Sequence, residues 1–110
     1  YTKVGNLVTA YAYINVGSQS TGTGDNLRIL GLPYVNHASG PYASVTFGQL
    51  YQIDVAAGSP GDITGHVAAD TAIIYLFSNH DDANYVPLTG TAINAANVGV
   101  MLSITYVTDS

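Results

Sequence analysis

The residues best suited to chemistry lie in a polar run between positions 79 and 85, which contains Asn79, His80, Asp81, Asp82 and Tyr85. Adjacent carboxylates and amide oxygens are ligands that Ca²⁺ accepts in proteins. The same groups could hydrogen-bond sugar hydroxyls while the tyrosine stacks on a sugar ring. EF-hand spacing is missing, which favours the alternative of a solvated loop between strands. We predict a glycan contact here and assign no metal ion.

A second candidate loop carries Tyr34, Asn36, His37 and Tyr42 and is punctuated by prolines and glycines. Loops held by a rigid scaffold carry functional residues more often than strands do. A histidine and an asparagine flanked by aromatic rings could line a glycan groove, and we predict these four residues as glycan contacts. The alternative is a rigid loop in which the two tyrosines only pack.

No pattern in the chain predicts catalysis. Glycoside hydrolysis requires two carboxylates roughly 5–10 Å apart, whereas Asp81 and Asp82 are neighbours that would face opposite ways on a strand. The three histidines are scattered and the chain has no cysteine, so no zinc pattern is present. Nucleophile-elbow and phosphate-loop motifs are also missing. We therefore predict a protein that is not an enzyme and uses no cofactor.

The charge balance bears on the partners. Only 8% of the 110 residues are charged, the net charge is −5, and Lys3 and Arg28 are the only fixed cations. Binding to nucleic acid or to an anionic membrane surface requires clustered basic residues. No apolar run approaches the ~20 residues of a membrane span. We predict neither a nucleic-acid partner nor membrane insertion.

So few charges are unusual for a small monomer, which normally spreads both signs over its surface. Aromatic residues and methionine are enriched at protein interfaces. We therefore predict a homotrimer in which one sheet packs around a threefold axis. The predicted trimer contacts are the apolar residues beyond those that the interior of a single sandwich should need: Tyr11, Tyr13, Tyr75, Phe77 and Met101.

Strict alternation of side chains reveals the fold class. Positions 7–16 and 98–106 each place apolar residues on one face at every second position, the period of a β-strand. Turn signals recur every 8–12 residues between about eight short strands, which is typical of a sandwich or barrel. We predict an all-β chain of one domain over residues 1–110: an antiparallel β-sandwich, jelly-roll-like.

Three local interpretations accompany this prediction. Residues 43–47 and 51–55 are taken as two separate strands, and 89–97 as room for one helical turn. Residues 71–78 are apolar at both phases of the alternation, so a strand there is expected to be buried on both faces.

Several motifs carry a family resemblance: Y-T-K-V-G-N-L-V at 1–8, L-R-I-L-G-L-P-Y at 27–34, T-A-I-I-Y-L at 71–76, L-T-G at 88–90 and I-T-Y at 104–106. Their succession resembles β-sandwich domains near the C-termini of bacteriophage tail fibres and tailspikes. Those domains open with Y-T-K-I-G-N-x-V, followed by I-x-G-L-P-F; here Val4 replaces isoleucine and Tyr34 replaces phenylalanine. The resemblance implies a jelly-roll-like, commonly trimeric domain at the distal end of a fibre.

The expected function follows from this resemblance. It is a non-enzymatic virion domain, at an extracellular tail or fibre tip, that serves trimeric assembly and recognition of host-surface glycans. One alternative is a purely structural trimerisation or capsid decoration domain. Another is a carbohydrate-binding module detached from a secreted polysaccharide-degrading enzyme. The start at Tyr1 leads us to expect a domain cut from a longer polypeptide.

Overall fold

The computed structural model describes residues 1–16, 26–51, 53, 62–79, 84, 86–89 and 98–109. These residues form eight strands, numbered β1 to β8 in chain order: Thr2–Val4, Leu7–Val16, Arg28–Ile29, Ala43–Tyr51, Asp62–Val67, Ile74–Asn79, Val86–Pro87 and Val98–Val107. No helix long and apolar enough to cross a membrane occurs in this described part.

The long strands form where the side chains alternate most strictly. β2 pairs with β8 along its whole length, with Val8 opposite Tyr106 and Val16 opposite Val98. A two-residue loop joins β1 to β2, and its Gly5 has a φ of 59°. A positive φ favours glycine, and loops of this length suit hairpins.

All the described strand pairs are antiparallel, and they form one sheet in the order β1-β2-β8-β4-β5-β6-β3, with β7 added beside β6. The sheet curls because β4 pairs with β5 at Ala43 and Ser44, and with β8 from Val45 onward. The main core lies inside the curl, where β2 and β8 face β5 and β6; its buried residues are Val8, Val67, Ile74, Val100, Leu102, Ile104 and Tyr106.

The predicted all-β antiparallel class is therefore confirmed. The described strands form a single curved sheet that wraps around its own core. Division into the two sheets of a sandwich, and the jelly-roll connectivity, stay predictions. The suggested helical turn at 89–97 lies almost wholly outside the described residues; Thr89, which is described, forms an isolated bridge with Asn26.

The split between residues 43–47 and 51–55 is wrong for β4, which runs unbroken to Tyr51. Phe47 pairs with Leu102 and Gln49 with Met101, so Gly48 is the extra residue of a β-bulge. A bulge shifts the alternation by one position. Plain alternation along the sequence would place Tyr51 on the same face as Phe47, four positions earlier. Because of the bulge, Tyr51 instead lies on the outer face, with 52% of its surface exposed.

Strand β6 also differs from the expectation of burial on both faces. Ile74 and Leu76 are buried in the interior, whereas Tyr75 and Phe77 are only partly buried on the outer face. A histidine ring from β5 packs against these two aromatic residues. Among the described residues, this local aromatic cluster accounts for the apolar outer positions of β6.

Tyr106 anchors the loop that follows β3. Its side chain is buried, and its hydroxyl donates to the carbonyl of Tyr34 at 2.8 Å while accepting from the backbone N–H of Tyr34 at 3.2 Å. Burial raises the pKa of the Tyr106 phenol. One hydroxyl thus satisfies both backbone groups of a loop residue 72 positions away.

We expect Tyr106→Phe to lower the free energy of unfolding by about 1–2 kcal/mol, because both partly buried backbone groups of Tyr34 lose their partner. Urea denaturation measures the change. Tyr13→Phe, which removes the same hydroxyl from an exposed ring, should change stability by less than about 0.5 kcal/mol. Equal effects of the two substitutions would contradict the anchoring role of Tyr106.

Candidate functional site

A cleft of about 430 Å³ opens where β4 begins and β8 ends. We call it the outer cleft; the residues that line it include Asn36, His37, Tyr42, Ser44, Thr105 and Val107. Three of these, Asn36, His37 and Tyr42, are among the predicted glycan contacts. The structure therefore brings together residues that the sequence places in one loop and joins them to the end of the last strand.

The outer cleft exists because two neighbouring strands diverge. From Val45 onward β4 is paired with β8, but Ser44 pairs with His66 of β5 instead. The side chains of Ser44 and Thr105 are exposed on the outer face. The strand ends thus place two hydroxyl groups at the cleft, where each can donate or accept a hydrogen bond.

Tyr42 forms an aromatic wall of this cleft. It is 62% exposed, and its ring centroid lies 5.0 Å from that of His66. The His66 ring is in turn stacked 4.8 Å from Phe77 and tilted 6.0 Å from Tyr75. We call these four side chains the aromatic row. The row supports Tyr42 from behind while leaving most of its surface accessible.

His37 is held by hydrogen bonds at both ring nitrogens. Its Nε2 lies 3.0 Å from Oδ1 of Asp109, and its Nδ1 accepts from the backbone N–H of Ser39 at 3.1 Å. Oδ2 of Asp109 accepts from the N–H of Ala38 at 3.1 Å. The carboxylate therefore orients the imidazole at the cleft and ties the loop to the end of the chain that follows β8.

Asn36 serves as a support for the loop. Only 2% of its surface is exposed, and its amide nitrogen donates to the carbonyls of Pro41, Val67 and Ala68 at 3.2–3.4 Å. A buried amide used in this way holds the strand ends together. Asn36 lines the cleft, but its amide nitrogen already donates within the fold, so we do not count it among the groups that would contact a ligand.

Tyr34 does not belong to the outer cleft. Its ring packs edge-to-face against Tyr1 at 5.8 Å, and Nζ of Lys3 lies 5.2 Å from its centroid. Lys3 pairs with Val8, an inward-facing residue. The Tyr34 side chain is therefore on the inner side of the sheet, away from His37 and Tyr42.

The predicted 79–85 site is largely beyond what the structure describes. His80, Asp81, Asp82 and Tyr85 lie outside the described residues, whereas Asn79 is exposed at the end of β6. Four residues of strand separate Asn79 from Tyr75, which is about 13 Å. The glycan contact predicted at 79–85 stays a prediction.

The predicted interface residues fall into two groups. Tyr13 pairs with Met101 and Tyr11 with Ser103, so Tyr11, Tyr13 and Met101 share the outer face of β2 and β8. Tyr51 joins them, because it pairs with Gly99 beside Tyr13. We call these four the assembly face; Tyr75 and Phe77 belong instead to the aromatic row.

A second cleft of about 320 Å³, the inner cleft, opens into the curl between β2 and the loop after β3. Ala10, Ala12 and Ile14 line one side, and Ile29 and Leu32 line the other. The small alanines leave this space unfilled. The sequence does not predict this cleft, because side-chain alternation shows which face points inward but not how far away the opposite strand lies.

The contact between His37 and Ser39 leaves the histidine without a free base on that side. Nδ1 of His37 lies 3.3 Å from Oγ of Ser39, but the same nitrogen already accepts the Ser39 backbone N–H. A general base needs that lone pair for the proton it removes. Among the described residues no group of three His, Cys, Asp or Glu side chains could hold a metal ion.

The aromatic row should make stability depend on pH. Burial lowers the pKa of His66, so the unfolded chain binds a proton more readily than the folded one as pH falls below about 6.5. Stability from this residue is therefore present above that pH and is lost as pH falls towards the lowered pKa. We expect the Tm to decrease less between pH 7 and 5 in His66→Phe than in the wild type, with His37→Gln as the control. Equal slopes in the wild type and His66→Phe would contradict this expectation.

Comparisons of the chain with protein-family models, with curated proteins and with solved structures find no match. The resemblance to bacteriophage fibre domains therefore stays a prediction that depends on the motifs alone.

Proposed function

We propose that this chain is a non-enzymatic glycan-binding domain that assembles as a homotrimer at the tip of a virion fibre. The observation that carries the binding function is the outer cleft, with the exposed ring of Tyr42 as its wall. The virion location and the host surface as the source of the glycan come from the family resemblance.

The size and lining of the outer cleft suit a sugar. Its volume of about 430 Å³ lies within the roughly 300–1,000 Å³ of small-ligand sites, which combine apolar walls with a few polar groups. Here the apolar wall is Tyr42 and the polar groups are the Ser44 and Thr105 hydroxyls. A sugar ring has an apolar C–H face and a polar hydroxyl rim, which match these two kinds of surface.

Preorganisation supports the same proposal. The contact with His66 restrains Tyr42, and two hydrogen bonds restrain the His37 ring. A restrained site loses less side-chain freedom when a ligand binds. The cleft can therefore bind a weakly interacting, well-hydrated ligand without first ordering its own side chains.

Glycan-array screening followed by titration calorimetry with the best hit tests this proposal. We expect saturable binding by the wild type and roughly tenfold weaker binding by Tyr42→Ala, since an aromatic contact contributes up to about 1.5 kcal/mol. Tyr1→Ala removes an equally exposed ring remote from the outer cleft and should bind normally. Absence of binding across the array, or equal loss in both variants, would contradict the proposal and favour a purely structural domain.

The assembly part of the proposal depends on a different face. Tyr11, Tyr13, Tyr51 and Met101 expose between 41% and 74% of their surfaces on adjoining strands. Contiguous exposed apolar surface marks protein contacts. The assembly face shares the outer face of β8 and β4 with the outer cleft and comes nearest to it at Tyr11, which pairs with Ser103, two residues from Thr105. Three copies that associate through this face would therefore place their outer clefts at the edge of the contact.

Light scattering coupled to size exclusion measures the assembly state. We expect a trimer for the wild type and a monomer for Tyr13→Lys, because the substitution places a charge in the apolar contact. Thr64→Lys adds the same charge at an exposed position of β5 and should remain trimeric. A monomeric wild type would contradict assembly and favour the detached carbohydrate-binding module.

A further inference from the structure

The charges around the outer cleft restrict the kind of sugar that it can bind. None of the residues that line it is a lysine or an arginine. The Asp109 carboxylate contacts His37, which lines the cleft. The chain as a whole carries a net charge of −5. An anionic group in this cleft would therefore meet a negative potential and no local cation.

The histidine does not supply the missing positive charge. Nδ1 of His37 accepts the backbone N–H of Ser39 at 3.1 Å, and a nitrogen that accepts a hydrogen bond carries no proton. The ring in this geometry is the neutral tautomer with its proton on Nε2, directed at Asp109. The pair therefore has a net negative charge, and the carboxylate oxygens retain further lone pairs for hydroxyl donors.

Both fixed cations lie elsewhere. Lys3 is on the inner side of the sheet, over the Tyr34 ring. Arg28 pairs with Tyr75, which pairs with His66, which pairs with Ser44. Three strand spacings, about 14 Å, separate the Arg28 backbone from that of Ser44 at the cleft.

We infer that the outer cleft binds an uncharged sugar residue and discriminates against sugars that carry a carboxylate or sulfate at the same position. This inference deepens the proposed glycan recognition and rests on it. Neutral hydroxyls find acceptors at Ser44 and at Thr105, and a C–H face finds Tyr42. An acidic substituent would be repelled by Asp109 and would lose hydration without gaining a counter-ion.

The experiment uses pairs of oligosaccharides that differ by one acidic group: galactose-terminated glycans against their sialylated or galactose-sulfated forms. In titrations of the wild type, each acidic form should bind roughly five- to tenfold more weakly than its neutral counterpart at low salt. This difference in affinity should become smaller in 0.5 M NaCl, because salt screens the repulsion. Asp109→Asn should also reduce the difference in affinity between the neutral and the acidic form, because the amide retains an acceptor oxygen but carries no charge.

A charge insertion provides a gain-of-function test. Ser44 is exposed at the cleft, so Ser44→Lys should fold and should shift the preference towards the acidic member of each pair. Asn15→Lys places the same charge at an exposed position of β2, six residues along the strand from Thr9, which pairs with the cleft residue Thr105, and should retain the neutral preference.

The outcomes separate this inference from the proposed function. If neither member of any pair binds the wild type, and an array finds no other ligand, glycan recognition itself fails. If both members bind equally and Ser44→Lys changes nothing, recognition stands and the charge inference is overturned. Tighter binding of the acidic form that is lost in Arg28→Gln would also overturn it, and would place the acidic group at Arg28.

Discussion

Ile104→Ala is expected to lower the free energy of unfolding by about 3 kcal/mol, measured by urea denaturation. Ile104 is 2% exposed, pairs with Ala10 on one side and Val45 on the other, and belongs to the core inside the curl. Truncation removes its burial and leaves a cavity that two paired neighbouring strands prevent from collapsing.

Val107→Ala is the matched control for this substitution. It also truncates a β-branched aliphatic residue of β8, but Val107 faces outward and is 46% exposed. The expected loss is less than about 1 kcal/mol. A one-residue slip of register would move every side chain of the strand to the other face. A larger loss of stability in Val107→Ala than in Ile104→Ala would therefore contradict the register of β8.

Gly65→Ala should destabilise the fold by about 2 kcal/mol, although alanine is ordinarily better than glycine in a strand. A Cβ at this position would lie 3.2 Å from Cζ of Phe47 and 3.2 Å from the Tyr75 carbonyl oxygen. The Phe47 ring occupies the space that the missing side chain leaves. The new methyl group must therefore displace a partly buried ring or part of the paired backbone.

A second substitution identifies which neighbour opposes the methyl group. Phe47→Leu withdraws the ring edge, so the double variant should be more stable than the sum of the two single changes predicts. Gly48→Ala is the control, because its Cβ would meet Met101 at ordinary contact distances, 3.4 Å from Sδ and 3.9 Å from the carbonyl oxygen, and it should alter stability by less than about 0.5 kcal/mol. Purely additive changes in the free energy of unfolding would show that contact with the Phe47 ring is not what makes alanine unfavourable at position 65.

The parts of the fold that the sequence predicts are those with a local signal. The inward residues of β2 and β8 alternate without interruption, and the structure pairs them in register from Val8–Tyr106 to Val16–Val98. Gly5 likewise marks the turn that it occupies. Both signals depend on neighbouring residues alone, since period two and a positive φ need no knowledge of the partner strand.

The parts that the sequence does not predict depend on distant strands. The bulge at Gly48 moves the Tyr51 side chain to the other face of the sheet, and no local sequence pattern predicts this bulge. The change of partner between Ser44 and Val45 opens the outer cleft, and it follows from the curl of the whole sheet. Asp109 reaches His37 only because β8 ends beside the loop, so two residues far apart in the chain meet without any motif.

The central position of β8 has a consequence for biosynthesis. The last of the eight described strands to leave the ribosome lies between β2 and β4, and Tyr106 must find Val8 across 98 positions of chain. Such non-local pairing slows folding. Until β8 emerges, β2 and β4 expose unpaired edges that other nascent chains could join. The outer cleft, whose far wall is Thr105 and Val107, therefore forms only after β8 has been synthesised and paired, and ligand binding would report that this strand is in place.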